Sequence, residues 1–220
     1  GELEKLQVTA KGPSDFVTNS DKKVEKIIIE ELIKSKKKFS ILSEEIGEVK
    51  NSNKENYWII DPIDGTTNFL HGIPHFAISI ALKTKGEIVS GLIFDPIKNE
   101  MFYAEKNNGA YFNNQRIRVS KKKNLNQCLF ATGGKDNINY NLNTRKSGSA
   151  ALDMAYVGAG RYDGYFQKSL NIWDIAAGII IVNEAGGKVN YIDYFSNKLI
   201  NIFAGSNSIY EKMLENLNNF

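Results

Sequence analysis

The run Trp58-Ile59-Ile60-Asp61-Pro62-Ile63-Asp64-Gly65-Thr66-Thr67-Asn68-Phe69 restricts this chain more than any other segment, because an apolar stretch passes without a break into two aspartates. Proline fixes φ at Pro62 and glycine frees the backbone at Gly65. Asp61 and Asp64 can therefore point into one pocket while the amides of Gly65, Thr66 and Thr67 stay open to an anion. Carboxylates beside free N–H donors suit a magnesium ion together with a phosphate, since magnesium binds through a few carboxylates, water and substrate phosphate oxygens. The plainer use of the same residues is an aspartate-capped turn.

Acids elsewhere weigh against the plain turn. Phe39 to Ser43 and Tyr57 to Ile60 are short apolar runs that end in acidic residues, and they read as buried strands delivering carboxylates at their ends. The first runs into Glu44-Glu45 and the second into Asp61. Trp173-Asp174 opens a helix that is apolar on nearly every side; taken alone, Asp174 is explained by N-capping.

Composition narrows the chemistry. A chain of 220 residues can bury a proper core as one domain or two tightly joined halves. Its 42% hydrophobic and 24% charged residues are ordinary for a soluble enzyme, and no stretch approaches the roughly 20 apolar residues of a membrane span. Cys128 stands alone and no signal segment precedes the fold, which points to a reducing cytoplasm. With one cysteine, and with His71 and His75 confined to one short segment, a zinc site of Cys and His ligands is hard to assemble, so any metal is expected to be hard and oxygen-bound. A net charge of +3 does not mark a nucleic-acid binder; Lys36-Lys37-Lys38 and Lys121-Lys122-Lys123 read as a solvated helix end and a solvated loop. His71 and His75 are read as parts of a turn leading to a strand, and Arg145 and Arg161 as surface salt-bridge partners.

The coarse pattern is mixed α and β. Val24, Ile27, Ile28, Glu31 and Leu32 have helical period after a capping Asp21. Phe76 to Val119 reads as an antiparallel meander with strands Phe76 to Thr84, Ile88 to Phe94, Met101 to Ala104, Ala110 to Phe112 and Arg116 to Val119. Beyond it, Ser149 to Ala159 is expected to be helical, Gly164 to Phe166 extended, and Asp174 to Ala185 helical up to Gly186-Gly187. Val189 to Ile192 reads as extended, with a last helix from about Ser208.

The order of Glu44-Glu45, then Asp-Pro-Ile-Asp-Gly-Thr-Thr-Asn-Phe, then Trp-Asp-Ile-Ala-Ala-Gly with a following Glu-Ala-Gly-Gly, resembles the inositol monophosphatase family and its bacterial extragenic-suppressor branch. The likeness runs from about Lys11, where Lys11-Gly12-Pro13-Ser14-Asp15-Phe16-Val17-Thr18 resembles the family's entry to its first helix, to near Leu217. It implies an α+β fold, the layered αβαβα sandwich of the sugar-phosphatase superfamily. It also implies one domain over 1–220, with a metal-binding α+β half at 1–120 and an α/β half at 121–220, and a homodimer. The implied activity is magnesium-dependent hydrolysis of inositol monophosphate or a related small polyol phosphate. Fructose 1,6-bisphosphate, 3'-phosphoadenosine 5'-phosphate and histidinol phosphate are open to the same chemistry. Lithium sensitivity and an RNA-polymerase-associated or ribosome-synthesis role are further implications of the resemblance.

Position by position, the resemblance implies that Glu44, Asp61, the main-chain carbonyl of Ile63, Asp64 and Asp174 hold Mg2+. Thr66 and Asp21 orient and deprotonate the attacking water, with Glu44 beside them, and hydrolysis is direct. Substrate contacts fall to Asp64, Gly65, Thr66, Gly148, Ser149, Ala150, Gln167 and Asp174. Gln167 departs from the pattern, since many members carry there a glutamate that binds substrate hydroxyls; glutamine still donates and accepts but brings no charge. The chain is also shorter than the family pattern before Lys11 and between Gly134 and Gly148.

Overall fold

The computed structural model describes residues 8–12, 15–36, 38–133, 142–191 and 199–216. In chain order the elements are β1 (Val8–Gly12), β2 (Asp15–Thr18), α1 (Asn19–Ser35), β3 (Phe39–Ser43), β4 (Gly47–Val49), β5 (Asn53–Asp64), α2 (Thr66–Leu70), β6 (Ala77–Thr84), β7 (Glu87–Asp95), β8 (Glu100–Glu105), β9 (Gly109–Phe112) and β10 (Gln115–Arg116). There follow β11 (Phe130–Thr132), β12 (Thr144–Arg145), α3 (Ala150–Gly158), β13 (Gly164–Leu170), α4 (Ile172–Glu184), β14 (Gly187–Tyr191), β15 (Ile200–Ser206) and α5 (Tyr210–Asn216).

Among the described residues, β1 and β2 form a hairpin, and the other strands form two sheets. The larger has the order β10-β9-β8-β7-β6-β5-β3-β4 and is antiparallel except where β3 runs beside β5. The smaller has the order β12-β11-β13-β15-β14, with β12, β11 and β13 parallel. Helices α3 and α4 pack on each other and touch both sheets, α1 packs on β5, and α5 on β15. The result is the layered αβαβα sandwich of an α+β protein. No described helix is long and apolar enough to cross a membrane.

Residue size explains why the central helix layer sits so close to the large sheet. The strand positions that pack into the core include Ala77, Ala81, Ala104 and Ala110, and α4 answers with Ala176 and Ala177, the latter lying against Gly91 of β7. Period-two alternation places successive residues of the smaller sheet on opposite faces. Ala131, Tyr165 and Ala204 join the central core, while their neighbours Phe130 and Phe166 face Ile209, Tyr210 and Met213 around α5.

Several sequence expectations are corrected. β5 begins at Asn53 and continues through Asp64, so Asp61 to Asp64 is not a free turn. The ladder to β6 breaks between Asp61 and Asp64, which is where Pro62, having no N–H, can be tolerated. Asp21 does not cap α1; it is the third residue of the helix and fully buried. Only Gln115–Arg116 pairs as a strand, because beyond it the N–H of Val119 turns to the carbonyl of Ala185. Asp174, read as the cap of α4, is instead the third residue of that helix, and Asn171 is the cap. β14 starts at Gly187, and α5 starts at Tyr210. β15 and α2 were not foreseen, although Ile200, Ile202 and Ala204 carry a strand's alternation. Ile192, Leu217 and most of the shortened stretch after Gly134 lie outside the described residues.

A Cβ on Gly178 would lie 2.4 Å from Cβ of Met154, an atom fixed to the α3 backbone. Gly178→Val is therefore expected to lower the unfolding free energy by about 2 kcal/mol or more, read from the urea midpoint. An unchanged midpoint would contradict the packing described.

Candidate active site

One cleft of about 250 Å³ is lined by Glu44 after β3, by Asp61, Ile63 and Asp64 of β5, by Gly65 and Thr66 opening α2, and by Asp174 of α4. Gly133, Gly148, Ser149, Ala150, Asp153, Gln167 and Leu170 complete its wall. All the residues named above as metal ligands or substrate contacts meet here. Asp21 does not line the cleft. It stands behind Thr66, whose hydroxyl lies 3.4 Å from Asp21 Oδ1 and donates at 3.0 Å to the carbonyl of Ile63.

The strand geometry sorts the acids. The N–H of Ile63 donates to Asp61 Oδ1 at 3.0 Å, which folds that carboxylate back over the strand end. Asp64 reaches across the chain instead. It accepts from the hydroxyl of Ser149, from the N–H of Ala150 at 3.3 Å and from the N–H of Ala151 at 2.9 Å. The start of α3, expected to meet substrate through its backbone, thus has these donors on Asp64; a helix N-terminus favours an anion there. Asp174 Oδ2 accepts from the N–H of Asn171 at 2.8 Å, so it closes the capping box with Asn171 at the start of α4 and also lines the cleft.

Two left-handed glycines make the close approach possible. Gly65 has φ +94° and Gly148 φ +86°, where a side chain is strained. A Cβ on Gly65 would also stand 3.2 Å from the carbonyl oxygens of Gly148 and His75.

Three residues that sequence reasoning missed hold this arrangement. Asn68 donates through Nδ2 to the carbonyls of His75 at 2.7 Å and Ser147 at 2.9 Å, tying α2 to the loop before α3. Glu25, buried on α1, accepts from the Ser43 hydroxyl and from the N–H groups of Glu45 at 3.1 Å and Ile46 at 3.3 Å, fixing the turn that carries Glu44. The available signal was the spacing of Asp21 and Glu25, which places two acids on one helix face. Asp153 is buried, lines the cleft and accepts from the Ser147 hydroxyl at 2.8 Å.

Other expectations resolve outside the cleft. Neither His71 nor His75 lines it. Arg161 makes a two-pronged bond to Glu100 at 2.7 Å and lies over the rings of Phe102, Phe112 and Tyr156, more than a surface salt bridge. Arg145 forms no ion pair among the described residues; its guanidinium donates to the carbonyl of Thr144 at 3.0 Å. Lys122 is not merely solvated, since it pairs with buried Asp163 at 2.9 Å.

Charge explains what the cleft needs. Burial, and after it the charges of Glu44, Asp64 and Asp174, push the Asp61 carboxyl well above the usual carboxylate range. Burial raises Asp64 to about 6, against the pull of its Ser149, Ala151 and Ala150 donors. Burial likewise raises Asp153 well above the usual range. Hard oxygens with uncompensated negative charge are the donor set of a hard divalent cation. Among the described residues no three acids crowd one point; they surround the cleft. A hard divalent cation bound there would complete its shell with water and phosphate oxygens.

A raised carboxylate binds its proton in the folded state while the unfolded chain has lost it, so its contribution to stability falls as pH rises from about 4 through the folded value. Without divalent metal, Asp61→Asn is therefore expected to gain stability relative to the unsubstituted chain between pH 4 and pH 8. Denaturant titrations across that range that show a constant gap would contradict the assignment.

The likeness noted in the sequence extends to whole proteins and to the fold. The profile of the Inositol monophosphatase family matches residues 2–215. A Rhizobium meliloti protein named inositol-1-monophosphatase is 46% identical over 202 residues, covering 85% of this chain and 76% of that protein. An Escherichia coli protein named Nus factor SuhB is 40% identical over 229 residues, covering 96% of this chain and 86% of that one. The crystal structure of the extragenic suppressor protein suhB from Bartonella henselae superposes with a TM-score of 0.93 at 45% identity, covering 100% of this chain and 91% of its own. The chain with this carboxylate-lined cleft belongs to the inositol monophosphatase family.

Proposed function

We propose that the chain is a magnesium-dependent phosphomonoesterase that hydrolyses inositol monophosphate or a related small polyol phosphate. The observation that carries this reading is the gathering of Glu44, Asp61, Asp64 and Asp174 with Ile63 around one cleft beside the opening turn of α2. A binding module has no chemical need to bury so much like charge.

Glu44, Asp61, the Ile63 carbonyl, Asp64 and Asp174 would hold Mg2+. When bound, the metal would lower the pKa of an attacking water and neutralise charge on the phosphoryl oxygens. The chain's own residues supply the proton path. Thr66 Oγ1 faces the cleft with Asp21 behind it, so Thr66 can accept a proton from a water in the cleft as it passes its own to Asp21. The hydroxyl is a poor base alone, and its long 3.4 Å contact to a fully buried carboxylate is the arrangement that tightens on proton transfer. The N–H groups that open α2 have no earlier carbonyl within their helix and are free for phosphate oxygens.

The Escherichia coli relative is named a Nus factor, and a regulatory role apart from catalysis is the second reading. The carboxylate set gives that reading no direct support.

Phosphate release from inositol 1-phosphate, with magnesium titrated, tests the proposal. Turnover is expected to require magnesium, to be lost in Asp64→Asn and to fall about 100-fold or more in kcat in Thr66→Ala. Turnover independent of magnesium, or unchanged in both variants, would sink it.

A further inference from the structure

Asp64 meets the start of α3 through Ser149, and Ser149 is itself held from behind. The two serines that flank Gly148 are wired alike: each hydroxyl gives its single proton to a buried carboxyl and takes a backbone N–H on its oxygen. Ser149 Oγ donates to Asp64 and accepts from the N–H of Leu152 at 3.3 Å. Ser147 Oγ donates to Asp153 Oδ1 at 2.8 Å and accepts from the N–H of Ser149 at 3.2 Å. Asp153, buried in the first turn of α3, thereby sets which way the Ser147 hydroxyl points. A competing acceptor, the carbonyl of Ser149, lies 3.4 Å from Ser147 Oγ and already takes the N–H of Asp153 at 3.0 Å. Between the serines Gly148 is left-handed, and Asn68 holds the carbonyl of Ser147 at 2.9 Å. The turn that presents Ser149 to Asp64 is thus fixed from three sides, by Asn68, by Asp64 itself and by Asp153.

We propose that Asp153 is a positioning residue for the metal site: through Ser147 it fixes Ser149, and through Ser149 it fixes the rotation of the Asp64 carboxylate. The inference rests on the reading of Asp64 as a magnesium ligand. It gives Asp153 no bond to the metal, although Asp153 lines the cleft. Two donors, the Ser149 hydroxyl and the Ala151 N–H, converge on Asp64 Oδ2, while Oδ1 takes the longer bond from Ala150 at 3.3 Å and is the freer oxygen for a cation. Without the Asp153 acceptor the Ser147 hydroxyl is free to turn to the Ser149 carbonyl. The N–H of Ser149 then loses its fixed acceptor, and the Ser149 hydroxyl its fixed aim at Asp64. Groups that orient a ligand from outside its coordination shell set metal affinity by about 10- to 100-fold.

Manganese dissociation constants from calorimetry, on the unsubstituted chain and on variants, test this without any turnover. Asp153→Leu and Ser147→Ala are each expected to weaken manganese binding about tenfold. Asp153→Asn keeps an oxygen acceptor for Ser147 and is expected to stay within about twofold of the unsubstituted chain. Because the two residues act in one chain of contacts, the double variant Ser147→Ala/Asp153→Leu should bind no more weakly than the weaker single variant. Unfolding midpoints measured without metal check that each variant is folded, and Ser147→Ala decides alone if Asp153→Leu does not fold. Unchanged affinity in either folded single variant, or losses that add in the double variant, overturns the inference and leaves the metal site standing. A loss in Asp153→Asn as large as in Asp153→Leu also overturns it, since Asp153 would then act on the metal directly. If the unsubstituted chain binds no manganese, the metal-site reading and this inference fall together.

Discussion

The cost of holding several carboxylates in one partly dry cleft governs the rest of this structure. Asp61 is nearly buried with Glu44, Asp64 and Asp174 acting on it, and like charges at such range disfavour one another strongly. The scaffold answers with fixed donors. The start of α3 receives Asp64, the start of α4 carries Asp174, and the N–H of Ile63 covers one oxygen of Asp61. These dipoles reduce the charge without removing it. What remains is an affinity for a hard cation, and with the cation comes a place for an anionic substrate.

Holding that arrangement together requires contacts between distant parts of the chain. The central helices carry the α3 and α4 ends to the strand end of β5, and they can do so because small residues line both surfaces. Asn68 then ties the opening of α2 to the loop before α3, with Gly65 and Gly148 meeting backbone to backbone beside it. On the other side of the large sheet, α1 supplies Asp21 to Thr66 and Glu25 to the turn of Glu44. One helix thereby supports both Thr66 and the turn that carries Glu44.

Much of this was legible locally. An apolar run ending in Asp-Pro-Ile-Asp predicts a strand that delivers acids to its end, and β3 and β5 do so through Glu44, Asp61 and Asp64. What escaped was set by contacts far apart in sequence. Glu25 sits in a helix rich in lysine and glutamate and reads as solvated until its Ser43 and Glu45 partners are known. Asp153 and Asn68 are ordinary residues whose meaning comes from Ser147. Asp61 to Asp64 read as a turn because Pro62 and Gly65 are turn formers, yet pairing with β6 resumes at Asp64 and keeps the segment extended. The backbone donors assigned to substrate at Ala150 were found on Asp64, a partner 86 positions away.

The most direct test of the account is anomalous diffraction from crystals of the unsubstituted chain grown with manganese in place of magnesium. The account predicts metal density in the cleft, within bonding distance of at least two of the carboxylates of Glu44, Asp61, Asp64 and Asp174, and its loss in Asp61→Asn. A cleft without metal at saturating manganese, or metal bound only elsewhere, would contradict it.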